Sequence, residues 1–208
     1  MYIPKNMIMS GNEAITNFIA QNSFGLMVSG SLNATHIPFV LDATAGKNGV
    51  LYGHVSRANS HWQEIANQRI LVVFSGAHSY ISPTWYDAKP AVPTWNYTAV
   101  HCYGVALLLN DDETQAVLDK LVAQYEPKLL QDKQLMPDEY QQKLRQAIVG
   151  FKIVIDEIQA KEKLGQHRSS GDQQGVFSSL SASPHPDAKQ LAQYMLQRDI
   201  GRGNKSDN

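Results

Sequence analysis

The chain has 208 residues, of which 43% are hydrophobic and 18% charged, so it is long enough to bury the core of one domain. Its net charge of −1 provides no basic field to hold a phosphate backbone, and its single cysteine excludes an intrachain disulfide framework and a zinc site built from cysteines. The charged fraction lies below the usual value of about 25%, which indicates that some surface is covered in an oligomer. Because no apolar run reaches the length of a signal peptide or a membrane span, we expect a cytoplasmic protein that does not enter a membrane.

The pattern of apolar residues predicts five or six antiparallel strands with helices in their connections. Ser10 and Glu13 have the spacing of a capping box and predict a helix over 11–21. Asn110 and Glu113 have the same spacing and predict a helix that Pro127 ends. Strands are expected over 24–29, 34–42, 49–55, 69–76, 96–109 and 149–164, and further helices over 60–66, 137–147, 175–180 and 188–197. This order is typical of an α+β barrel-like fold and not of alternating βαβ units.

An aromatic stretch over 76–104 separates two of the predicted strands. It contains two of the three tryptophans and four of the nine tyrosines. Exposed rings gain nothing from water, so these must cover their own core, a partner subunit or a flat ligand. The sequence leaves these interpretations open.

Four clusters of residues could carry chemistry. Thr35 and His36 lie within a predicted strand, where a histidine is more often a hydrogen-bonded core residue than a catalyst. The segment 52–59 runs from a strand into a helix start, where Arg57 suits a phosphate; a capping turn with a solvated arginine is the alternative. The other two clusters are the aromatic stretch and a short polar run after the last strand, formed by Lys163, Gln166, His167 and Arg168.

Other kinds of site find no support in the sequence. It contains no nucleophile elbow, no glycine-rich phosphate loop and no helical pair of histidines at zinc-binding spacing. We therefore assign no catalytic residues and expect no metal site. Cationic groups from two distant segments, histidines on strands and aromatic walls are instead what a flat, phosphorylated cofactor requires.

Seven dispersed motifs, in order from Met1 to about Gly175, resemble the PaiB family of FMN-binding split-barrel proteins. They are MYIPK at the start, ATHIPF at 34–39, LYGHVSRAN at 51–59, HSYISPTWY at 78–86, KPAVPTWNY at 89–97, VHCYG at 100–104 and KLGQHR at 163–168. Members of this family are described as negative transcriptional regulators. The resemblance implies a six-stranded antiparallel Greek-key split β-barrel with flanking helices, a homodimer, and FMN at the subunit interface.

The resemblance also implies roles for single residues. Arg57 and Asn59 match the place of a phosphate-binding triplet, although the triplet here carries only one cation. Thr35 and His36 match the strand that faces the flavin ring, and Arg168 matches an arginine that closes the site. The full set expected to bind the cofactor is Thr35, His36, His54, Arg57, Asn59, Lys163, Gln166 and Arg168, with Trp85, Trp95 and Tyr97 as an aromatic wall at the interface.

Three functions remain open from the sequence. We expect a flavin-binding regulatory dimer; a flavin-dependent oxidoreductase acting on a small molecule and a flavin-free dimeric scaffold are the alternatives. Direct DNA binding is suggested only by the family description and a modest C-terminal set of cations, and the near-zero net charge argues against it. The expected domains are a split barrel over 1–164, a loop and helical appendage over 165–200, and a disordered tail over 201–208.

Overall fold

The computed structural model describes residues 1–204. Its strands are β1 (Phe24–Val28), β2 (Ala34–Pro38), β3 (Val40–Asp42), β4 (Val50–Ser56), β5 (Arg69–Ile81), β6 (Thr94–Leu108) and β7 (Ile148–Lys163). Its α-helices are α1 (Asn12–Gln21), α2 (His61–Ile65), α3 (Asp111–Tyr125), α4 (Asp138–Arg145), α5 (Ser170–Ala182) and α6 (Pro186–Arg198). Short 3₁₀ helices cover Lys5–Met7, Pro83–Trp85 and Pro127–Gln131.

The seven strands form one sheet in the order β2-β1-β5-β6-β7-β4-β3. The count is seven and not the six expected, because the predicted strand over 34–42 is divided at Phe39. Its first part, β2, pairs antiparallel with β1, and its second part, β3, pairs antiparallel with β4. The ring of Phe39 is buried at the break, so the apolar pattern continues while the pairing partner changes. Strand β4 also pairs with β7, from Val50↔Val154 to Ser56↔Ile148.

The chain divides into two compact units. One, the terminal unit, contains Met1–Gly11, Ser75–Ala99 and the chain from Ala160 onward. The other, the internal unit, contains Asn12–Phe74 and Val100–Gln159. The residues of β5, β6 and β7 are therefore distributed over both units.

The core of the internal unit is built around three phenylalanines. Phe39 packs edge-to-face against Phe74, with ring centroids 5.6 Å apart, and against Phe151 at 6.3 Å. None of the three is more than 1% exposed. Gly25 on β1 allows this packing, since a Cβ there would lie 2.9 Å from the ring of Phe74. Cys102 is fully buried in β6, and burial raises the pKa of its thiol to about 12.

The core of the terminal unit joins the C-terminal helices to part of the aromatic stretch. Tyr86 is buried there, Trp85 packs against the same cluster, and α5 and α6 contribute Val176, Leu180, Leu191 and Met195. For these two rings the structure selects the first interpretation, a core of their own chain. Trp95 differs, because its side chain is 54% exposed and contacts only the neighbouring rings of His78 and Tyr80 among the described aromatic residues.

Two helix starts test the predicted capping boxes. Asn110 accepts a hydrogen bond from the Glu113 backbone N–H, and the Glu113 carboxylate accepts one from the Asn110 N–H, so this box is confirmed. The box at Ser10 was wrong, because the Ser10 hydroxyl donates to the Ile8 carbonyl and Gly11 adopts a φ of +93° before α1 begins.

Part of the expected disordered tail is packed. Gly201 and Gly203 are buried, and the Gly203 N–H donates to the side chain of Gln173. Residues 205–208, the remainder of that predicted tail, lie outside the described residues. Among the helices described, none combines the length and the apolar character needed to cross a membrane.

Candidate ligand-binding site

The residues predicted to bind a cofactor fall into two groups. The internal unit contains Thr35, His36, His54, Arg57 and Asn59, and the terminal unit contains Lys163, Gln166, Arg168, Trp85, Trp95 and Tyr97. The two groups differ in charge and in what their polar atoms already bind, so each is described separately.

In the internal unit, Thr35 and Asn59 belong to a hydrogen-bonded trio with His61. The Asn59 amide donates to the Thr35 hydroxyl at 3.2 Å, and the Asn59 side-chain oxygen accepts from the backbone N–H of His61 at 3.1 Å. The Thr35 hydroxyl lies 2.8 Å from Nδ1 of His61. Strand β2 and the start of α2 thus place these three side chains together.

The hydrogen bonds of this trio fix the orientation of the Asn59 amide and leave two tautomers of the His61 ring. The bond from the His61 N–H fixes the orientation of the Asn59 amide, so the Thr35 oxygen is an acceptor toward Asn59. The Thr35 oxygen has a second lone pair, so its bond with His61 Nδ1 runs in either direction, according to which ring nitrogen carries the proton. Nε2 is buried and has no partner in the described part of the chain. With a neutral ring the trio is uncharged, and it leaves one buried ring nitrogen without a partner in the described chain.

Burial lowers the pKa of His61 below its ordinary value, and the nearby carboxylate of Glu64 opposes this shift. The imidazole is fully buried. Glu64 itself accepts hydrogen bonds from Ser31, Asn33 and Ser29, so it joins α2 to the hairpin that carries Thr35. This lowered pKa favours a neutral His61 at pH 7.

Arg57 is already bound to the backbone. Its Nε donates to the carbonyl of Gln146 and its Nη2 to the carbonyl of Ile148, both at 2.9 Å. The Arg57 backbone N–H donates to Ala147 as well. The side chain thereby holds the end of β4 to the start of β7. This arrangement is closer to the capping-turn alternative than to a free phosphate clamp, and the phosphate role of Arg57 stays a prediction.

The two remaining predicted residues of this unit occupy different environments. His36 is exposed on β2, with its ring stacked on Phe24 at 6.0 Å. His54 on β4 is half-buried, its Nδ1 has no partner among the described residues, and burial lowers its pKa. His54 lines a cavity of about 510 Å³ to which α3, α4 and the segment between them also contribute. The other walls of this cavity are mostly apolar and include Leu118, Leu121, Val122, Leu129 and Met136.

In the terminal unit, four basic residues form what we call the basic cluster: Lys161, Lys163, His167 and Arg168. Lys163 Nζ donates to the Thr94 hydroxyl at 2.7 Å. Lys161 lies two residues earlier on the same face of β7, is only 6% exposed, and donates to the carbonyl of Tyr2 at 3.0 Å. Burial is the largest cause of the lowered pKa of Lys163; Tyr97 opposes it, and the charges of Lys161 and Arg168 add to it. Burial, then Arg168 and Lys163, lower the pKa of His167.

The carboxylates of the terminal unit are bound elsewhere. Glu162 is buried and accepts two bonds from Arg198 and one from Tyr194. Asp172 accepts from the Ala88 N–H, and the Asp87 carboxylate lies against Gly171. Within residues 1–204, Lys161, Lys163 and Arg168 form no ion pair with a carboxylate. The basic cluster is thus positive and lacks a counter-ion from the described chain.

Aromatic rings accompany these cations. The Arg168 guanidinium lies over the ring of Tyr86, 4.5 Å from its centroid, and Lys161 Nζ lies 4.9 Å from that of Tyr97. Such cation–π contacts leave the charge uncompensated while holding the side chains in place. Gln166 has a structural role, because its side chain accepts from the Leu164 N–H and donates to the Glu162 carbonyl.

The chemistry of this donor set fits a phosphorylated aromatic group. A dianion requires several N–H or O–H donors and positive charge, which the basic cluster and Thr94 supply. A flat ring system requires aromatic or apolar walls, and the rings beside the cluster are those of Tyr97 and Tyr86. In the described residues no group of three histidine, cysteine or acidic side chains is placed to hold a metal ion.

Comparison with known proteins gives the family. The family model described as "Putative FMN-binding domain" matches residues 1–157. A Bacillus subtilis protein named "Protease synthase and sporulation protein PAI 2" is 38% identical over 203 residues, which cover 94% of this chain and 96% of that protein. The chain belongs to the PaiB family. An uncharacterized family relative from Emericella nidulans is 31% identical over 206 residues, covering 80% of this chain and 82% of its own.

Solved structures confirm the fold class. A flavocytochrome from Azotobacter vinelandii has a TM-score of 0.57 at 14% identity, covering 77% of this chain and 72% of its own. An FAD and heme binding protein from Mycobacterium smegmatis has a TM-score of 0.55 at 13% identity, covering 74% and 71%. The α+β split barrel expected from the sequence is therefore confirmed, with seven strands in place of six.

Sequence reasoning missed His61 and Lys161 as members of these groups. His61 stands two residues after Asn59, at the start of the predicted helix, and this spacing could have indicated it. Lys161 alternates with Lys163 along β7, so a period of two places both on one face. Neither signal is specific without knowledge of what the side chains contact.

Proposed function

We propose that this protein is a flavin-binding homodimer with a regulatory role, and that its flavin is FMN bound at the dimer interface. The observation that carries the proposal is the basic cluster beside aromatic rings, without a carboxylate counter-ion in the described chain. Membership of a family described by FMN binding supports it. When bound, FMN supplies an electron carrier whose state a regulatory protein can sense.

The proposal gives the predicted residues distinct roles. Lys163 and Arg168 supply positive charge, and Tyr97 and Trp95 supply ring surface. Thr35, Asn59 and His61 form an uncharged trio that suits the polar edge of a ligand and not its phosphate. Gln166 shapes the loop that leads to Arg168, and Trp85 packs into the core behind it.

Dimerisation is supported by exposed aromatic surface. Trp95 is 54% and Tyr80 46% exposed, and their rings contact each other at 6.2 Å. Large exposed rings that touch are typical of surfaces covered by a partner. Sedimentation velocity at micromolar concentration tests this proposal, and a stable monomer would contradict the interface.

The regulatory role is supported by the name of the Bacillus subtilis relative, which refers to protease synthesis and sporulation. This part is tested separately by comparing genome-wide transcript levels in three strains: one with the gene, one without it, and one that carries a variant unable to bind flavin. Equal transcript levels in the first two strains would contradict a regulatory role.

Flavin binding is tested with the freshly purified full-length protein. We expect the visible absorption of flavin in the pure protein, or its appearance after addition of FMN and removal of excess by gel filtration. FMN should bind more tightly than riboflavin, which lacks the phosphate. A colourless protein that binds neither flavin overturns the proposal.

A further inference from the structure

The basic cluster poses an electrostatic problem for the folded chain. Lys163 and Arg168 both lie close enough to His167 to lower its pKa, after the larger effect of burial, as neighbours of like charge do. Lys161, almost fully buried on the same face of β7, adds a further positive charge. Cations that are partly removed from water are normally paired with a carboxylate or a bound anion.

The neighbouring carboxylate shows that the unit can build such pairs. Glu162 lies between Lys161 and Lys163 in sequence, yet it points to the other face of β7 and binds Arg198 there at 2.9 Å. Arg198 is thus neutralised, while the lysines on the opposite face are not. The difference follows from strand alternation, so no small rearrangement of β7 brings Glu162 to the lysines.

The donors around Lys163 suit an oxyanion in number and charge. The Thr94 hydroxyl accepts a hydrogen bond from Lys163 Nζ and can still donate its own proton to a ligand. Arg168 lies over the Tyr86 ring and also forms a side-chain hydrogen bond with Tyr86, and its other guanidinium N–H groups remain as donors for a further ligand. The imidazole of His167 adds a third donor beside these two cations and gains a full charge when it is protonated.

We infer that Lys163, Thr94, His167 and Arg168 form an oxyanion site for a phosphate monoester, and that this site, and not Arg57, holds the phosphate. Arg57 already donates to the carbonyls of Gln146 and Ile148, so it would have to break or share those bonds to serve an anion. The FMN assignment within this inference rests on the proposed function. The oxyanion site itself does not, because any phosphorylated ligand presents the same group.

The experiment uses the full-length protein, with inorganic phosphate and sulfate as probes in calorimetric titrations and FMN and riboflavin in fluorescence titrations. Lys163→Gln and Arg168→Gln remove one cation each. Lys189→Gln on α6 removes the same charge from an exposed position of the same unit and serves as the matched control. Arg57→Gln represents the rival assignment. Near-ultraviolet circular dichroism checks that each variant is folded, and if Arg168→Gln is not, Lys163→Gln carries the test.

We expect phosphate and sulfate to bind about ten- to a hundredfold more weakly to the two cluster variants than to the parent, as loss of a charge-assisted hydrogen bond predicts. The Lys189→Gln protein should bind them as the parent does. If FMN weakens in parallel while riboflavin changes little, the flavin phosphate is the ligand. If the inorganic anions weaken but FMN does not, the oxyanion site stands and serves a separate phosphorylated molecule.

Two results would overturn the inference. One is equal affinity for phosphate and sulfate in the parent and both cluster variants, including no binding to any of them. The other is loss of anion and FMN binding in Arg57→Gln with retention in the cluster variants. Failure of FMN to bind any protein, with phosphate binding intact, contradicts the proposed function and leaves the oxyanion site in place.

Discussion

Arg57 in the internal unit and Arg168 in the terminal unit were both expected to bind a cofactor, and the structure treats them differently. Arg57 donates two hydrogen bonds to the carbonyls of Gln146 and Ile148, and these bonds join the end of β4 to the start of β7. Arg168 lies over the ring of Tyr86 and forms no ion pair with a carboxylate of the described chain. An arginine is available to a ligand according to what its N–H groups already bind, and its place in a sequence motif does not reveal this.

The groups around the two arginines differ in the same way. Thr35, Asn59 and His61 are hydrogen-bonded to one another and, with a neutral ring, carry no net charge. The basic cluster carries several positive charges with no compensation among residues 1–204. The first arrangement suits an uncharged polar group and the second an anion. Five single substitutions test this contrast, beginning with the one expected to have the largest effect.

Breaking the compensated pair should destabilise the protein most. Arg198→Leu leaves the Glu162 carboxylate buried without its cation, and we expect a loss of about 3–5 kcal/mol in the free energy of unfolding. Urea denaturation followed by far-ultraviolet circular dichroism measures it. Neutralising the anion as well, in Arg198→Leu with Glu162→Gln, should restore part of the loss. A single variant as stable as the parent would show that Glu162 is not buried as described.

Arg57→Gln should have a smaller effect on stability. It removes two hydrogen bonds from an exposed guanidinium to the carbonyls of Gln146 and Ile148, which we expect to lower the free energy of unfolding by about 1–2 kcal/mol. Arg168→Gln should lower it by less, by about 1 kcal/mol, because Arg168 contributes one side-chain hydrogen bond to Tyr86 and a ring contact, against the two bonds of Arg57. The reverse order in urea denaturation would contradict the structural role of Arg57.

The sequence predicted the fold better than it predicted the roles of side chains. Apolar alternation located every strand, because burial of one face imposes a period of two whatever the partners are. The break at Phe39 could not be predicted, since the residues on both sides remain apolar and only the pairing partner changes. The capping box at Asn110 is local and was predictable, whereas Gly11 adopts a backbone conformation that prevents the one at Ser10.

The candidate site shows the limit more clearly. Arg57, Gln166 and Arg168 look equivalent in the sequence, as polar side chains near strand ends. In the described chain the Gln166 side chain nevertheless binds backbone groups close to it in sequence, the Leu164 N–H and the Glu162 carbonyl. These outcomes depend on which carbonyls the fold brings within about 3 Å of each side chain, and such long-range geometry leaves no trace in local spacing.

His167 should make the basic cluster sensitive to pH. Its pKa lies below the ordinary 6.5 because of partial burial and the nearby Arg168 and Lys163. Protonation adds a positive charge, so sulfate affinity should rise severalfold as the pH falls from about 7.5 to about 5.5. Sulfate keeps its charge over this range, which isolates the protein's contribution. The His167→Gln protein should show a flat profile, and a rise of equal size in both proteins would exclude His167 as its source.

His61 should give the smallest effect, a pH dependence of stability in the internal unit. Burial lowers its folded-state pKa below the ordinary 6.5, so the folded protein disfavours the charged ring. The contribution of the neutral ring to stability is complete above about pH 6.5 and declines as the pH falls toward the lower folded-state pKa, because the unfolded chain binds the proton more readily.

His61→Asn keeps an acceptor near Thr35 but cannot titrate. It should be less stable than the parent at about pH 8, and the difference should narrow toward about pH 5. His54, His101 and His167, whose pKa values are also lowered, are present in both proteins and cancel in this comparison. Urea midpoints for the two proteins that run parallel across this range would show that His61 does not titrate in the buried trio.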